Sequence, residues 1–590
     1  MSGALRRLLS AIAVLVLLLA NVPTARAEAI PDKIDPALRV LMQADPLALR
    51  PVIVEMQPPA RPIGPGANLA RANEALELLR LNGRPGNALS LIQSAAGFAD
   101  AAGITAISLV PTVAYVHHDA TVGPRRGVAS TILTPPTQLS AVYPRVVNAD
   151  QLWAQGTTGR GVTVAVLDSG VAADVDLTSP TNRLLASVNF AGERLSNDPG
   201  GHGTHIAGTI AGNGARSAGE FVGVAPGANI VDVRVLNASG SGRISSLIRG
   251  VEWVVAHRAA YNIRVMNLSF GAPASSSYRT DPLAAAVEIA WQLGIVVVAA
   301  AGNTGPARGT TASPGIDPYA ITVGATDDIG TLSSRDDVLA WFSSWGSTDG
   351  GAKPDLVAPG RRIVAPRVPG SALDTLFPDR VVTARNGSTY FRLTGTSMAT
   401  AVVSGAVALL LERRPDLGPD QVKGLLVGKT QAYGQDSGVL PPDPTAGGSG
   451  LLDAFAATTA ATPTSRTTAP SGPLGLGAAP AAAAPATDTM PPAANRALRP
   501  ANTFARSAYA VLSTLPLRWK DPNAGGIAWQ TLTWDSVAWD SVAWDNYDWD
   551  SVAWDSVAWD SVAWDSVAWD SVAWDSVAWD SVAWDALNLD

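Results

Sequence analysis

Apolar runs too short for anything but strands, interleaved with stretches of helical spacing, constrain this chain more than any other feature. Gly161–Leu167 reads Gly-Val-Thr-Val-Ala-Val-Leu, and Ile230–Leu236, Val265–Phe270, Ile295–Ala300 and Ala320–Ala325 follow it. Helical stretches at Ser245–Ala260, Pro282–Leu293 and Ser397–Arg413 lie between or after them. Runs that are apolar at successive positions predict strands buried on both faces. Alternated with helices, they predict an α/β fold: a mostly parallel sheet with helices on both faces. In such sheets ligands and catalytic groups collect beyond the carboxyl ends of the strands. Asp168-Ser169-Gly170 stands at one such end, directly after the first run.

Two further polar islands complete a set. His202-Gly203-Thr204-His205 opens a stretch of small residues, and Gly395-Thr396-Ser397-Met398-Ala399 opens the last long helix. A carboxylate, an imidazole and a hydroxyl are the groups of nucleophilic acyl transfer. The serine attacks, the histidine moves its proton, and the aspartate holds the imidazole in the right tautomer. Their chain order Asp–His–Ser is that of subtilisin, whereas chymotrypsin runs His–Asp–Ser and the α/β-hydrolases Ser–Asp–His. Ala399 also excludes a G-x-S-x-G elbow around the serine. These residues and their flanks resemble the subtilisin-like serine proteases, the subtilases.

The resemblance implies roles residue by residue. Asp168 orients, His202 is the general base, Ser397 attacks, and Asn303 in Ala-Ala-Ala-Gly-Asn donates to the oxyanion. His205 lies one turn beyond His202 and reads as a structural histidine. Met266–Gly271 is similar to the edge that pairs with substrate backbone, so Ser269, Phe270 and Gly271, with Gly302, are expected at the substrate. Phe221–Ala228 and Lys353–Gly360 also match family segments, and the resemblance covers about Leu152–Ala456. No cofactor is needed for this chemistry. A structural calcium is implied by the family, with Asp176 where one carboxylate ligand would stand, although Asn213–Glu220 shows no clear calcium loop. Two departures stand out. The helix after Ser397 lacks an early proline, and Asp327–Gly351 and Val368–Thr389 read as added surface loops.

Around this region the chain changes character. Met1–Ala27 has two arginines, an apolar stretch and Ala25-Arg26-Ala27, which read as a signal peptide for secretion. Residues 28–126 hold a strand candidate at Pro51–Met56, helical spacing over Arg71–Leu81, and strand candidates at Ile107–Val110 and Val113–Val116. They are similar to the small α+β inhibitory propeptide of subtilases, which acts as an intramolecular inhibitor; a plain N-terminal binding domain is the alternative. Processing is expected between about Asp119 and Tyr143, and the catalytic domain over 128–460. Residues 461–520, rich in Ala, Pro and Thr, read as a linker. In 521–590 the pentad Ser-Val-Ala-Trp-Asp occurs nine times, which fits neither a single helix face nor one strand face, because five residues advance a helix by about 140°. The tail is either a disordered acidic segment or an ordered stack, and its spaced tryptophans suggest contact with a cell surface or polymer.

Composition excludes several classes. The chain has no cysteine, hence no disulfide and no thiolate site. Residues 521–590 contain 14 Asp and no Lys or Arg, so residues 1–520 carry 42 basic against 36 acidic side chains. That weak excess gives no case for nucleic acid. Protein or peptide substrates are the expected partners. Every group the reaction needs is present, which argues against the alternative of a non-catalytic surface protein on a degenerate protease fold.

Overall fold

The computed structural model describes residues 33–57, 67–123, 142–193, 197–274, 277–439, 441 and 443–462. The expected signal peptide, linker and repeat tail lie outside them. Near the N-terminus, β1 (Arg50–Met56), β2 (Arg84–Leu89), β3 (Ser94–Ala99) and β4 (Val113–His118) form an antiparallel sheet in the order β2-β3-β1-β4. Alternation along β1 sends Val52 and Val54 into a core with Leu79 of helix Ala67–Asn82 and Ile104 of helix Ala101–Ser108. Ile53 faces the other way and joins the larger core of the molecule. The expected strand at Ile107–Val110 is instead the end of that second helix. Asp100 accepts the Gly103 N–H at 2.8 Å and so starts a helix at Ala101, which a short apolar run alone does not reveal.

The larger unit is built on a sheet in the order β13-β12-β11-β10-β6-β8-β7, with strand Leu356–Pro359 pairing beside β12. The strands are β6 (Thr163–Asp168), β7 (Leu184–Asn189), β8 (Asn229–Arg234), β10 (Ile263–Leu268), β11 (Val296–Ala300), β12 (Ile321–Asp327) and the short β13 (Val338–Leu339). All the pairings are parallel except β12 with β13. β6, β11 and β12 are buried at every residue, as their unbroken apolar runs require. Helix Thr396–Arg413 is buried from Thr396 to Leu411, which is why its sequence has no polar face. It continues through the first turns without the expected proline. The two added segments carry β13, helix Ala372–Leu376 and strand Val381–Thr383.

The two units meet at helix Ile244–His257, whose own N-terminal residue supplies no side-chain cap. Asp119, just past β4, takes that place: its carboxylate accepts the Ser245 N–H at 2.9 Å and the Ser245 hydroxyl at 2.7 Å. Glu252 on the same helix accepts the hydroxyl of Ser90. Beyond Asp119, β5 (Thr121–Val122) pairs antiparallel with β9 (Gly242–Arg243), setting Thr121 against Arg243 and Val122 against Gly242. Gly123 then bridges Gly271 in the antiparallel sense.

Candidate active site

The site forms where β11, β10 and β6, neighbours in the sheet, end together. Asp168 is the last residue of β6, Ser269 follows β10, and Gly302-Asn303 follow β11. Helix His202–Ala211 brings its first residue onto the end of β6. Gly203 permits this approach, since a Cβ there would overlap the Gly170 carbonyl and lie 3.0 Å from the Asp168 Cβ. His202 Nδ1 stands 2.8 and 2.9 Å from the two carboxylate oxygens of Asp168. Asp168 also accepts the Ser169 N–H at 2.7 Å. A donor at Nδ1 leaves Nε2 as the basic nitrogen. Burial pulls the His202 pKa down, but the charge and hydrogen bond of Asp168, with the charge of Asp198, outweigh it and leave the pKa raised.

His205 behaves differently. Its Nε2 lies 3.1 Å from the carbonyl oxygens of both Ile363 and Phe391, so it carries the proton and donates to them. Burial, reinforced by His202, pulls its pKa down to about 3. It is a neutral structural histidine, as its position suggested.

Ser397 is the second residue of the central helix and is 5% exposed. Its hydroxyl donates to the Ser269 carbonyl at 2.9 Å, while the Ser269 hydroxyl donates to the Ser397 carbonyl at 3.0 Å. Ser269 and Ser397 are therefore held to each other by a reciprocal pair of hydrogen bonds. Asn303 Oδ1 accepts both the backbone N–H and the hydroxyl of Thr396 at 2.9 Å. Because that N–H can only donate, the amide orientation is fixed, with Oδ1 on Thr396 and Nδ2 as the end left to donate elsewhere. Phe270, Gly271, Gly302, Asn303, Ala312 and Ser397 line a cleft together with Gly123.

Sequence reasoning missed the residues behind these. Asn267 donates to the Ser269 hydroxyl at 2.8 Å and accepts from Ser404 at 2.9 Å. Asp198 accepts from Ser169, Gly201 and Thr204. The one available signal was an aspartate just upstream of a helix start. Asp176 does not stand as an open ligand. One of its oxygens accepts the Arg216 N–H at 2.7 Å and the other the Tyr390 hydroxyl at 2.7 Å. No cluster of three or more His, Asp or Glu side chains suited to a metal occurs among the described residues.

Residues 159–455 match the model of the subtilase family. The chain belongs to the subtilase family. This subtilase is 43% identical over 307 residues to the serine protease AprX of Bacillus subtilis (strain 168), a match spanning 51% of this chain and 66% of that protein. It is 37% identical over 319 residues to subtilisin Savinase of Lederbergia lenta, spanning 53% and 96%. M-protease of Shouchella clausii (strain KSM-K16) is 35% identical over 362 residues, spanning 60% and 76%. Among solved structures it is similar to fervidolysin from Fervidobacterium pennivorans, a keratinolytic enzyme related to subtilisin. The TM-score is 0.52 at 23% identity, over 71% of this chain and 62% of that one. That likeness bears out the fold: a subtilisin-like, largely parallel sheet flanked by helices.

Proposed function

We propose that this subtilase is a secreted serine endopeptidase, made as a precursor that processes itself. The observation that carries this reading is the His202 Nδ1 contact to Asp168 beside a helix-borne Ser397 and an amide, Asn303, that lines the same cleft. In the reaction, His202 Nε2 takes the Ser397 proton as the hydroxyl attacks the scissile carbonyl. Asp168 stabilises the resulting imidazolium. The developing oxyanion is held by the Ser397 N–H and Asn303 Nδ2. His202 then returns its proton to the leaving amine, and water repeats the cycle to release the acyl group. Substrate backbone adds as a strand against Ser269–Gly271.

Residues 28–126 serve in this reading as the inhibitory propeptide, supported by Thr121–Gly123 lying against the edges that substrate would pair with. Residues 124–141 lie outside the described residues. We propose that processing falls between about Asp119 and Tyr143. Secretion rests on Met1–Ala27, and the Trp/Asp repeat is proposed to contact a cell surface or polymeric substrate.

One preparation tests both claims. The parent should mature to a form beginning between about Asp119 and Tyr143 and hydrolyse casein, while Ser397→Ala should stay uncut and inactive, a loss on the order of 10⁶ in kcat by the measure of subtilisin. Casein hydrolysis by Ser397→Ala would sink the assignment. A mature N-terminus outside that segment would sink only the processing claim.

A further inference from the structure

The mechanism uses one buried carboxylate, yet a second lies beneath it. Asp198 is 1% exposed and sits in the loop that leads into the His202 helix. Its Oδ1 accepts the Ser169 hydroxyl at 2.7 Å and the Gly201 N–H at 2.7 Å, and its Oδ2 accepts the Thr204 N–H at 2.8 Å. Ser169 in turn accepts the Gly203 N–H at 3.0 Å. Gly201, at φ 85°, has no side chain with which to cap the helix. Asp198 therefore does the capping from outside, and the same oxygens reach the residue that follows Asp168. Strand end and helix start are joined through this carboxylate.

We propose that Asp198 is a positioning residue of the active site, tying the helix that bears His202 to the strand that bears Asp168. The proposal rests on the reading of His202 as general base. A hydrogen-bonded capping carboxylate would matter for stability in any helix. Here its bonds span the two residues on either side of the Asp168–His202 contact, so its loss loosens that contact as well. Its charge acts in the same direction. His202 faces Asp168 from β6, Asp198 from the entering loop and His205 on its own helix; Asp198 in turn feels Asp168 and Asp232 of β8. A negative Asp198 stabilises the imidazolium, so replacing it lets His202 lose its proton at lower pH.

The test compares Asp198→Asn and Ser169→Ala with the parent in mature, active-site-titrated enzyme, reading kcat, KM, the pH profile of kcat/KM and the thermal unfolding midpoint. Asp198→Asn should lower kcat on the order of 10- to 100-fold with KM within about twofold. The acidic limb of its profile should move down by about half a pH unit or more. Ser169→Ala keeps both carboxylates but cuts the link to Gly203. It should lower kcat about 3- to 10-fold and leave the acidic limb in place. An acidic limb unmoved in Asp198→Asn would reduce Asp198 to a helix cap and overturn the proposal. Should Asp198→Asn not fold, parental kcat in Ser169→Ala overturns it equally. An inactive parent would instead defeat the function on which the proposal rests.

Discussion

Asn303 offers the sharpest test of the catalytic geometry, because its two ends do different work. Its oxygen is committed to the Thr396 N–H and hydroxyl, both at 2.9 Å, and the residue lines the cleft, where its NH2 is proposed to meet the oxyanion. Asn303→Ala removes the oxyanion donor and also strips Thr396 of its acceptor. The first loss should cost about 10²–10³ in kcat, or roughly 3–4 kcal/mol, a magnitude measured in subtilisin. The second leaves buried donors unpaired at about 1–3 kcal/mol and should lower Tm by roughly 2–6 °C. Asn303→Asp separates the two effects. A carboxylate still accepts from Thr396, so Tm should stay near the parent, but it sets a negative oxygen where the oxyanion forms. Its kcat should fall by about 10³ or more. The assay is kcat and KM on a peptide p-nitroanilide, with unfolding followed on enzyme whose serine is blocked to prevent autolysis. An Asn303→Asp enzyme within tenfold of parental kcat, or an Asn303→Ala change confined to KM, would refute the assigned orientation.

Two other sites make separate predictions. Asp119→Ala removes the carboxylate that caps helix Ile244–His257 through Ser245. It should weaken retention of the cleaved N-terminal unit by about 1–3 kcal/mol, roughly 5- to 150-fold, seen as a shorter lag before activity appears in maturing precursor; an unchanged lag would show that the cap does not hold the unit. Asp337 has both carboxylate oxygens buried without a partner, and burial, with the charges of Asp328, Asp336 and Asp327, pushes its pKa up to about 8. A carboxyl whose folded pKa lies above its unfolded value near 3.8 favours the fold at low pH, and that contribution is lost as pH rises toward 8. Asp337→Asn should therefore be more stable than the parent at pH 9 and close to it at pH 4. Unfolding midpoints across that range that run parallel for the two proteins would contradict this.

How far the sequence reached follows from the range of its forces. Burial on both faces leaves an unbroken apolar run, so the strands that became β6, β8, β10, β11 and β12 and the long helix at Ser397 were legible within a few residues of their observed ends. The Asp168–His202 contact could be anticipated because each partner is marked locally, one at a strand end and the other at a helix start. Ile107–Val110 was misread because its conformation depended on a cap at Asp100, outside the apolar run. The partners of Asp176, Tyr390 and the Arg216 N–H, were not legible because they come from distant parts of the chain. What the sequence determined by itself was the fold class, and with it the candidates for the reacting groups, since both depend on residue type and local period. Only the tertiary structure decided that Ser269 and Ser397 bond each other, that Asn303 turns its oxygen to Thr396, that Gly123 meets Gly271, and that Asp198 joins Ser169 to the start of the His202 helix. Those are contacts between segments tens to hundreds of residues apart, whose hydrogen bonds exist only once the sheet has brought its strand ends together.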